Sequence, residues 1–491
     1  MARHPWCERC LQWARLATGR DRSFHGNVIS SAFVNALGLL VGIATASLLA
    51  RSLGSRGRGE FAAINGWATF IGGLAAFGLP TAAIYYAARS PRRARSVSLT
   101  AAVVSLPVLA IVVALGWCLV PWILRQHGEP IIRASRMYVA LYAITNIALY
   151  VPFGGLQAVG AFGAWNLARM TQPVAWLGLL ALMVASGHHD AAGLGIGQAI
   201  TFVAVAPIAI LLFHRASSGP YRLLRSHTAP MLRYGAESVL ANVSLTANRR
   251  FDQMVMAALI DPRILGLYAA AVNLTALLSA ATSPVANVLM PRTAALLSPQ
   301  AKRETLGRVC RMTLLVSFAL GLCLLLASPI LILLLFGRPF LGILPTVAIL
   351  VPATVLLSLT GALEGGLMGL NRPRSVLLAE ASGCVVTAIG LFLTLRRWPL
   401  LGAAATSFAS YLAILVMLML ACRACTGISF RELLVPTRDE LHAARVALKG
   451  AARSARTGVA SVPGDGAILD PGPGRPSGDA DPPLDDVLGA R

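Results

Sequence analysis

Apolar stretches of about 20 residues recur along this chain from Val28 almost to Cys425. Each is long enough to cross a hydrocarbon layer roughly 30 Å thick at about 1.5 Å per residue. In lipid every backbone N–H and C=O must find its partner within the protein, so spans of this length become helices. Charged residues make up only 13% of the sequence and hydrophobic ones 56%, whereas soluble domains carry about 25% charged residues. A soluble globular enzyme does not fit; the expected class is an all-α polytopic membrane protein.

Apolar runs bounded by Gly, Pro or Arg predict twelve helices, starting near residues 28, 60, 97, 137, 166, 190, 231, 264, 304, 341, 374 and 400. The first run, Val28 to Ala50, is longer than a signal-peptide core and lacks a following small-x-small cleavage site, so it reads as a retained span. The predicted organisation is a basic N-terminus over 1–26, a six-helix bundle over 27–214, a linker over 215–230, a second bundle over 231–425, a juxtamembrane segment over 426–456 and a disordered tail over 457–491. In the juxtamembrane segment Thr437 and Glu440 form a capping box ahead of Leu441, Val446 and Leu448, the pattern of a short amphipathic helix. From Val462 onward Pro, Gly and Asp dominate, leaving too little apolar surface to offset ordering entropy.

The bundles echo each other. At a shift of 207 residues, Ser31/Ser238, Asn35/Asn242, Ala50/Ala257, Arg56/Arg263, Gly59/Gly266, Ala62/Ala269 and Ala63/Ala270 coincide, with Phe61 opposite Tyr268. Each copy sets out a polar-studded helix, a short basic outer loop (Arg51, Arg56 and Arg58 in the first) and a Gly-x-aromatic-Ala-Ala helix start. Six helices per copy make the repeats parallel, related by an axis along the membrane normal.

The net charge of +22 is almost wholly arginine, Lys302 and Lys449 being the only lysines. These charges sit between apolar spans, so topology explains them better than nucleic-acid binding. One side collects Arg89, Arg92, Arg93 and Arg95, the linker arginines, then Arg303, Arg308 and Arg311. That side is read as cytoplasmic, with both termini on it and the protein in the cell inner membrane. The eight cysteines include Cys7/Cys10 and Cys422/Cys425; neither pair has a folded knuckle around it, and reduced thiols are expected.

Catalysis has little to stand on. The outer loops are short, with Glu129, Asp190 and Asp261 nearly their only acids, and His188/His189 lack further metal ligands. No Ser-His-Asp order, phosphate-cradling loop or acidic pair is present. No cofactor, metal or nucleic-acid partner is expected, and the chain reads as a transporter.

The informative helix is Met231 to Ile260, where Glu237, Asn242, Thr246, Arg249, Arg250, Asp252 and Gln253 fall in an apolar context. Val243, Met254, Ala247, Leu240, Phe251 and Val255 share a face about 120° wide, expected to meet lipid. An arginine at mid-bilayer costs at least ~2.5–3.5 kcal/mol, so two neighbours at one depth need a cavity or partners. Either Asp252 neutralises Arg249 and Arg250, or both face an aqueous cavity and attract an anion; Asn35, Asn242, Thr246, Asp252 and Gln253 are the cavity-lining candidates beside them. Glu237, Glu364 and Glu380 are the intramembrane acids available to couple transport to H+ or Na+.

The chain resembles the polysaccharide-biosynthesis flippases of the multidrug/oligosaccharidyl-lipid/polysaccharide exporter superfamily over roughly residues 27–425. The resemblance rests on Leu49-Ala50-Arg51-Ser52-Leu53-Gly54, Gly57-Arg58-Gly59-Glu60-Phe61 and Phe77-Gly78-Leu79-Pro80, then on Arg250-Phe251-Asp252, Gly266-Leu267-Tyr268-Ala269-Ala270-Ala271 and Met290-Pro291-Arg292. It implies two six-helix bundles around a central cavity that opens to each side in turn, moving an undecaprenyl-diphosphate-linked oligosaccharide between leaflets. The implied partners are that lipid, the bilayer, a coupling ion and other glycan-assembly proteins. A drug or metabolite antiporter of the same superfamily would want aromatic residues and an acid in the cavity more than paired arginines, and a glycan polymerase or ligase would want larger outer loops.

Overall fold

In a computed structural model, residues 24–295, 298–370, 372–437 and 440 are described, and all of their regular structure is helical. The first half comprises α1 (Phe24–Gly73), α2 (Leu79–Arg89), α3 (Ala94–Ile123), α4 (Glu129–Ala148), α5 (Tyr150–Ala158), α6 (Phe162–Ala185) and α7 (Ala191–Ala216). The second comprises α8 (Arg225–Leu259), α9 (Pro262–Ala295), α10 (Pro299–Leu335), α11 (Leu344–Gly369), α12 (Pro373–Thr394), α13 (Pro399–Thr426) and the short α14 (Phe430–Leu434).

Among the described residues ten helices are long and apolar enough to cross a membrane. The twelve expected from the sequence are reached by dividing α1 and adding α8. Fifty residues of helix would run about 75 Å, far beyond one crossing, and Gly54 (φ 64°, ψ −173°) breaks α1 into two. The expected basic outer loop is therefore absent; Arg56 and Arg58 sit inside helix. Helix α8 is too polar to register by composition, yet it is helical over 35 residues.

The second segment of α1 continues into α2 through a turn where Phe77 and Gly78 are left-handed (φ 44° and 64°) and Pro80 opens the next helix. Only glycine adopts such a φ without strain, and proline's missing N–H is harmless in a first turn. The Phe77–Pro80 motif is thus a stop and a restart. Near Gly54 both halves share one core, which includes Phe61, Ile64 and Tyr138 with Met256, Tyr268 and Val347. Toward the segment joining α7 to α8, here the linker end, each half has its own, around Leu156 and Phe213 in one and Leu363 and Met419 in the other. Met231 of α8 joins the first half's core.

A close backbone approach of the halves falls on residues equivalent by the 207-residue shift. A Cβ on Gly59 would lie 1.7 Å from the Pro262 carbonyl oxygen, and one on Gly266 would lie 1.8 Å from that of Ser55. Ser55 is to Pro262 as Gly59 is to Gly266, so the contact is reciprocal and marks the two-fold axis of the repeat. Around it, first-half donors satisfy carbonyls that second-half helices leave orphaned at their C-terminal ends. Ser47 Oγ donates to Leu335 O at 2.5 Å, Arg51 donates to Leu334 O and Leu335 O, and His127 Nε2 lies 3.0 Å from Ala257 O.

At the linker end α14 opens with a full capping box between Ser429 and Glu432. Glu432 also takes two bonds of 2.7 Å from Arg303 Nη2, and these, with the Ser429 N–H, hold its carboxyl below the ordinary value of 4.5. The second capping box is formed as expected, with Thr437 N donating to Glu440 Oε2 at 2.9 Å and Glu440 N to Thr437 Oγ1 at 3.4 Å. The helix expected past it, the 457–491 tail and the Cys7/Cys10 pair lie outside the described residues. Cys422 and Cys425 are free thiols, and no cluster able to hold a metal occurs among the described residues.

Alanine at Gly59 or Gly266 is expected to cost about 3 kcal/mol, since only backbone atoms stand in the way. The loss should appear as a lowered thermal midpoint in detergent, while Gly361→Ala, which meets nothing within 4 Å, leaves it unchanged. Because the Glu432 carboxyl is held low, its ionised form stabilises the docked α14 above the ordinary carboxylate value, and that contribution is lost as pH falls through the depressed one. Hydrogen exchange at 430–434 should stay slow at pH 4.5 and quicken only in stronger acid; Glu432→Gln should quicken it at neutral pH.

Candidate functional site

A cavity of about 350 Å³ lies between the halves, lined by Asn65, Thr69, Tyr142 and Gln198 of the first half and by Arg250 and Met254 of α8. A hydrogen-bonded triangle builds its polar wall. Asn65 Nδ2 donates to Tyr138 Oη and to Gln198 Oε1, both at 2.9 Å, and Tyr138 Oη donates to Gln198 Oε1 at 3.0 Å. These bonds use both amide donors of Asn65 and leave its Oδ1 to face Arg250, whose Nη1 donates to it at 3.4 Å. Arg250 makes no ion pair with any described residue, and it is exposed to the cavity.

Asp252 does not neutralise it. Two residues along a helix turn the side chain by about 200°, and Asp252 points into the second half, where it is buried at 6% exposure. Its carboxylate accepts from Tyr268 Oη, from Ser407 Oγ at 3.2 Å and from the Gln253 N–H at 2.7 Å. A carboxylate taken out of water needs such donors. Met254 shares the face of Arg250 at i+4, lines the cavity and accepts at its carbonyl from Trp67 Nε1 at 3.0 Å. The face expected to meet lipid is in that part an inner one.

A second, apolar cavity of about 270 Å³ lies between the first segment of α1 and α9, lined by Gly38, Gly42, Ala46, Asn273 and Ala280 among others. Small residues on both helices leave this slot. Nearby, Arg169 of α6 donates from Nη2 to Asn35 Oδ1 at 2.8 Å and packs on the Trp165 ring at 4.4 Å.

Residues 48–345 match the family described as polysaccharide biosynthesis protein. The chain belongs to this family. Among solved structures, the lipid II flippase MurJ in an inward closed conformation has 11% identity and a TM-score of 0.68, covering 82% of this chain and 89% of that one. An inward-facing multidrug-resistance transporter of the MATE family, in the MOP superfamily, has 14% identity and a TM-score of 0.63, covering 82% and 99%. A eukaryotic MATE transporter, AtDTX14, has 12% identity and a TM-score of 0.59, covering 80% and 95%. No curated protein matches the sequence. This polysaccharide biosynthesis protein thus has the fold that the MurJ and MATE structures share.

Of the residues singled out in its sequence, Arg250 lines the central cavity, and Asn35 pairs with Arg169 outside it. Asp252 and Glu380 are buried, Gln253 and Glu364 half-buried, and none of the four lines this cavity. Glu237, Asn242, Thr246 and Arg249 lie on α8, their side chains outside the described part of the structure. Two arginines were missed. Arg169 stands in an apolar stretch with no acid beside it, and Arg58 reads as a loop residue as long as Gly54 is taken to end a helix with a loop.

Tyr268→Phe removes one of the three donors to Asp252 and is expected to destabilise the protein by about 1–3 kcal/mol. Asp252→Asn, which needs one donor fewer, should restore part of the lost thermal midpoint in the double variant. A Tyr268→Phe protein as stable as wild type would show that Asp252 is satisfied elsewhere.

Proposed function

We propose that this protein moves an oligosaccharide linked through a diphosphate to undecaprenol from the inner to the outer leaflet, for assembly of a cell-surface polysaccharide. The observation that carries the proposal is Arg250, a guanidinium exposed in the central cavity with an amide, and no described acid, as its hydrogen-bond partner. A diphosphate supplies the negative charge this site lacks, and a guanidinium fork binds it bidentately. Arg249 adds a second charge from the same helix, and Asn65, Gln198 and Tyr142 offer the cavity wall to sugar hydroxyls. The slot between α1 and α9 suits the polyprenyl tail, which never needs to leave hydrocarbon.

In this reading the linker end is cytoplasmic, with both termini on it, because the short loops there carry most of the arginine. The bundles 27–214 and 231–425 rock to switch access, opening at the linker end while the Gly59–Gly266 contact holds and at the Gly54 end when it parts, and Glu237, Glu364 or Glu380 couples the cycle to H+ or Na+. A drug antiporter is the weaker alternative, because neither Glu364 nor Glu380 is in the cavity lining that Arg250 occupies.

In a strain lacking its own flippase, Arg250→Ala is expected to lower outer-leaflet lipid-linked glycan at least tenfold at unchanged protein abundance. Arg250→Lys should recover only part, keeping the charge and losing the fork. Full export by an Arg249→Ala/Arg250→Ala protein would refute the site.

A further inference from the structure

One buried charge has no role in this scheme. Arg58, on the second segment of α1, is only 7% exposed, and its Nε has no hydrogen-bond partner. No described residue gives it a carboxylate, carbonyl or hydroxyl; its one contact of note is with the face of the Phe61 ring, 5.8 Å from the guanidinium carbon. Phe61 in turn stacks on Trp176 of α6 at 6.2 Å and 5°. The buried Trp176 Nε1 is also without a partner. Two N–H donors lacking acceptors thus border one aromatic ring. Donors with nothing to donate to, one of them permanently charged, match the chemistry of an anion.

The position of Arg58 says which anion. Arg58 and Asn65 are separated by two helical turns, hence lie on one face of α1 roughly 10 Å apart along its axis. Asn65 holds Arg250, and Arg58 lies within electrostatic reach of Arg250. It therefore sits just beyond the cavity toward the Gly54 end. Its neighbour Gly59 makes the reciprocal contact with Pro262 and Gly266, so parting the halves there would unseal it.

We propose that Arg58 forms a second phosphate subsite, closed in this conformation, which receives the diphosphate from Arg250 as the halves separate at the Gly54 end. The proposal rests on the reading of Arg250 as a diphosphate ligand and adds where the anion goes next. A charge sealed without a partner opposes closure of that end, and an anion bound to it relieves the opposition.

The test uses the full-length protein in phosphatidylcholine nanodiscs, titrated with inorganic diphosphate by calorimetry, with the thermal midpoint measured in its absence. Arg58→Gln is expected to weaken diphosphate binding about tenfold and to raise the ligand-free midpoint by a few degrees, because a buried unpaired charge has been removed. Arg58→Lys should retain most of the affinity. A lowered midpoint in Arg58→Gln would make Arg58 structural and overturn the proposal, as would unchanged affinity while Arg250→Gln weakens binding. Weaker binding in Arg58→Gln but not in Arg250→Gln would keep the second subsite and sink the reading of Arg250. No diphosphate binding by wild type would overturn both. Discs one-third phosphatidylglycerol should leave the affinity unchanged; its loss there would assign the subsite to a lipid headgroup and contradict the transfer.

Discussion

Two glycines, one from each repeat, hold the halves of this protein at the distance on which its other features depend. At Gly59 and Gly266 the backbones touch with no room for a side chain. In lipid there is little hydrophobic gain from pressing two helices together, so close packing of small residues and hydrogen bonds between helices must supply the association. Both are present at this end of the bundle. Arg51, Ser47 and His127 occupy carbonyls near the ends of α10 and α8, so that the same contacts join the halves and satisfy helix termini. The halves are joined there by a shared core and have separate cores at the linker end, so while this contact holds the linker end is the one free to open.

The cavity obeys a different rule. Its polar groups satisfy one another first, Asn65, Tyr138 and Gln198 closing a triangle, and the Asn65 amide oxygen left over takes one N–H of the Arg250 guanidinium, whose charge stays uncompensated by any described acid. The one acid nearby in sequence, Asp252, is turned away to Tyr268 and Ser407. Had it turned toward Arg250, the pair would have neutralised itself and left nothing for a ligand. Separating an acid from a base on opposite faces of one helix keeps the cavity cationic, at the cost of three donors spent on the acid elsewhere.

Much of this was legible in the sequence. Apolar run length gave the helices, and the 207-residue shift already paired Gly59 with Gly266, although not that they touch. Arg250 stood out because an arginine in an apolar span demands an explanation. What stayed hidden has physical causes. Helical periodicity sorts residues by face but not by what each face meets: Met254, expected at lipid, lines the cavity, and Asp252, expected in the cavity, is buried inside the second half. A one-residue break at Gly54 looks in sequence like a loop, which hid Arg58, and no local pattern announces that Arg169 reaches Asn35 across 134 residues of chain.

If the cavity selects its cargo by the diphosphate, the group that links glycan to lipid decides whether the lipid moves. Proteoliposomes holding the purified protein, with fluorescent oligosaccharides attached to the same polyprenyl chain through a diphosphate, a single phosphate or a neutral ether, measure this directly as the rate at which label becomes accessible across the bilayer. Selection by the diphosphate gives rapid movement of the diphosphate-linked lipid, slower movement of the monophosphate and none of the ether. Equal rates for all three would contradict it.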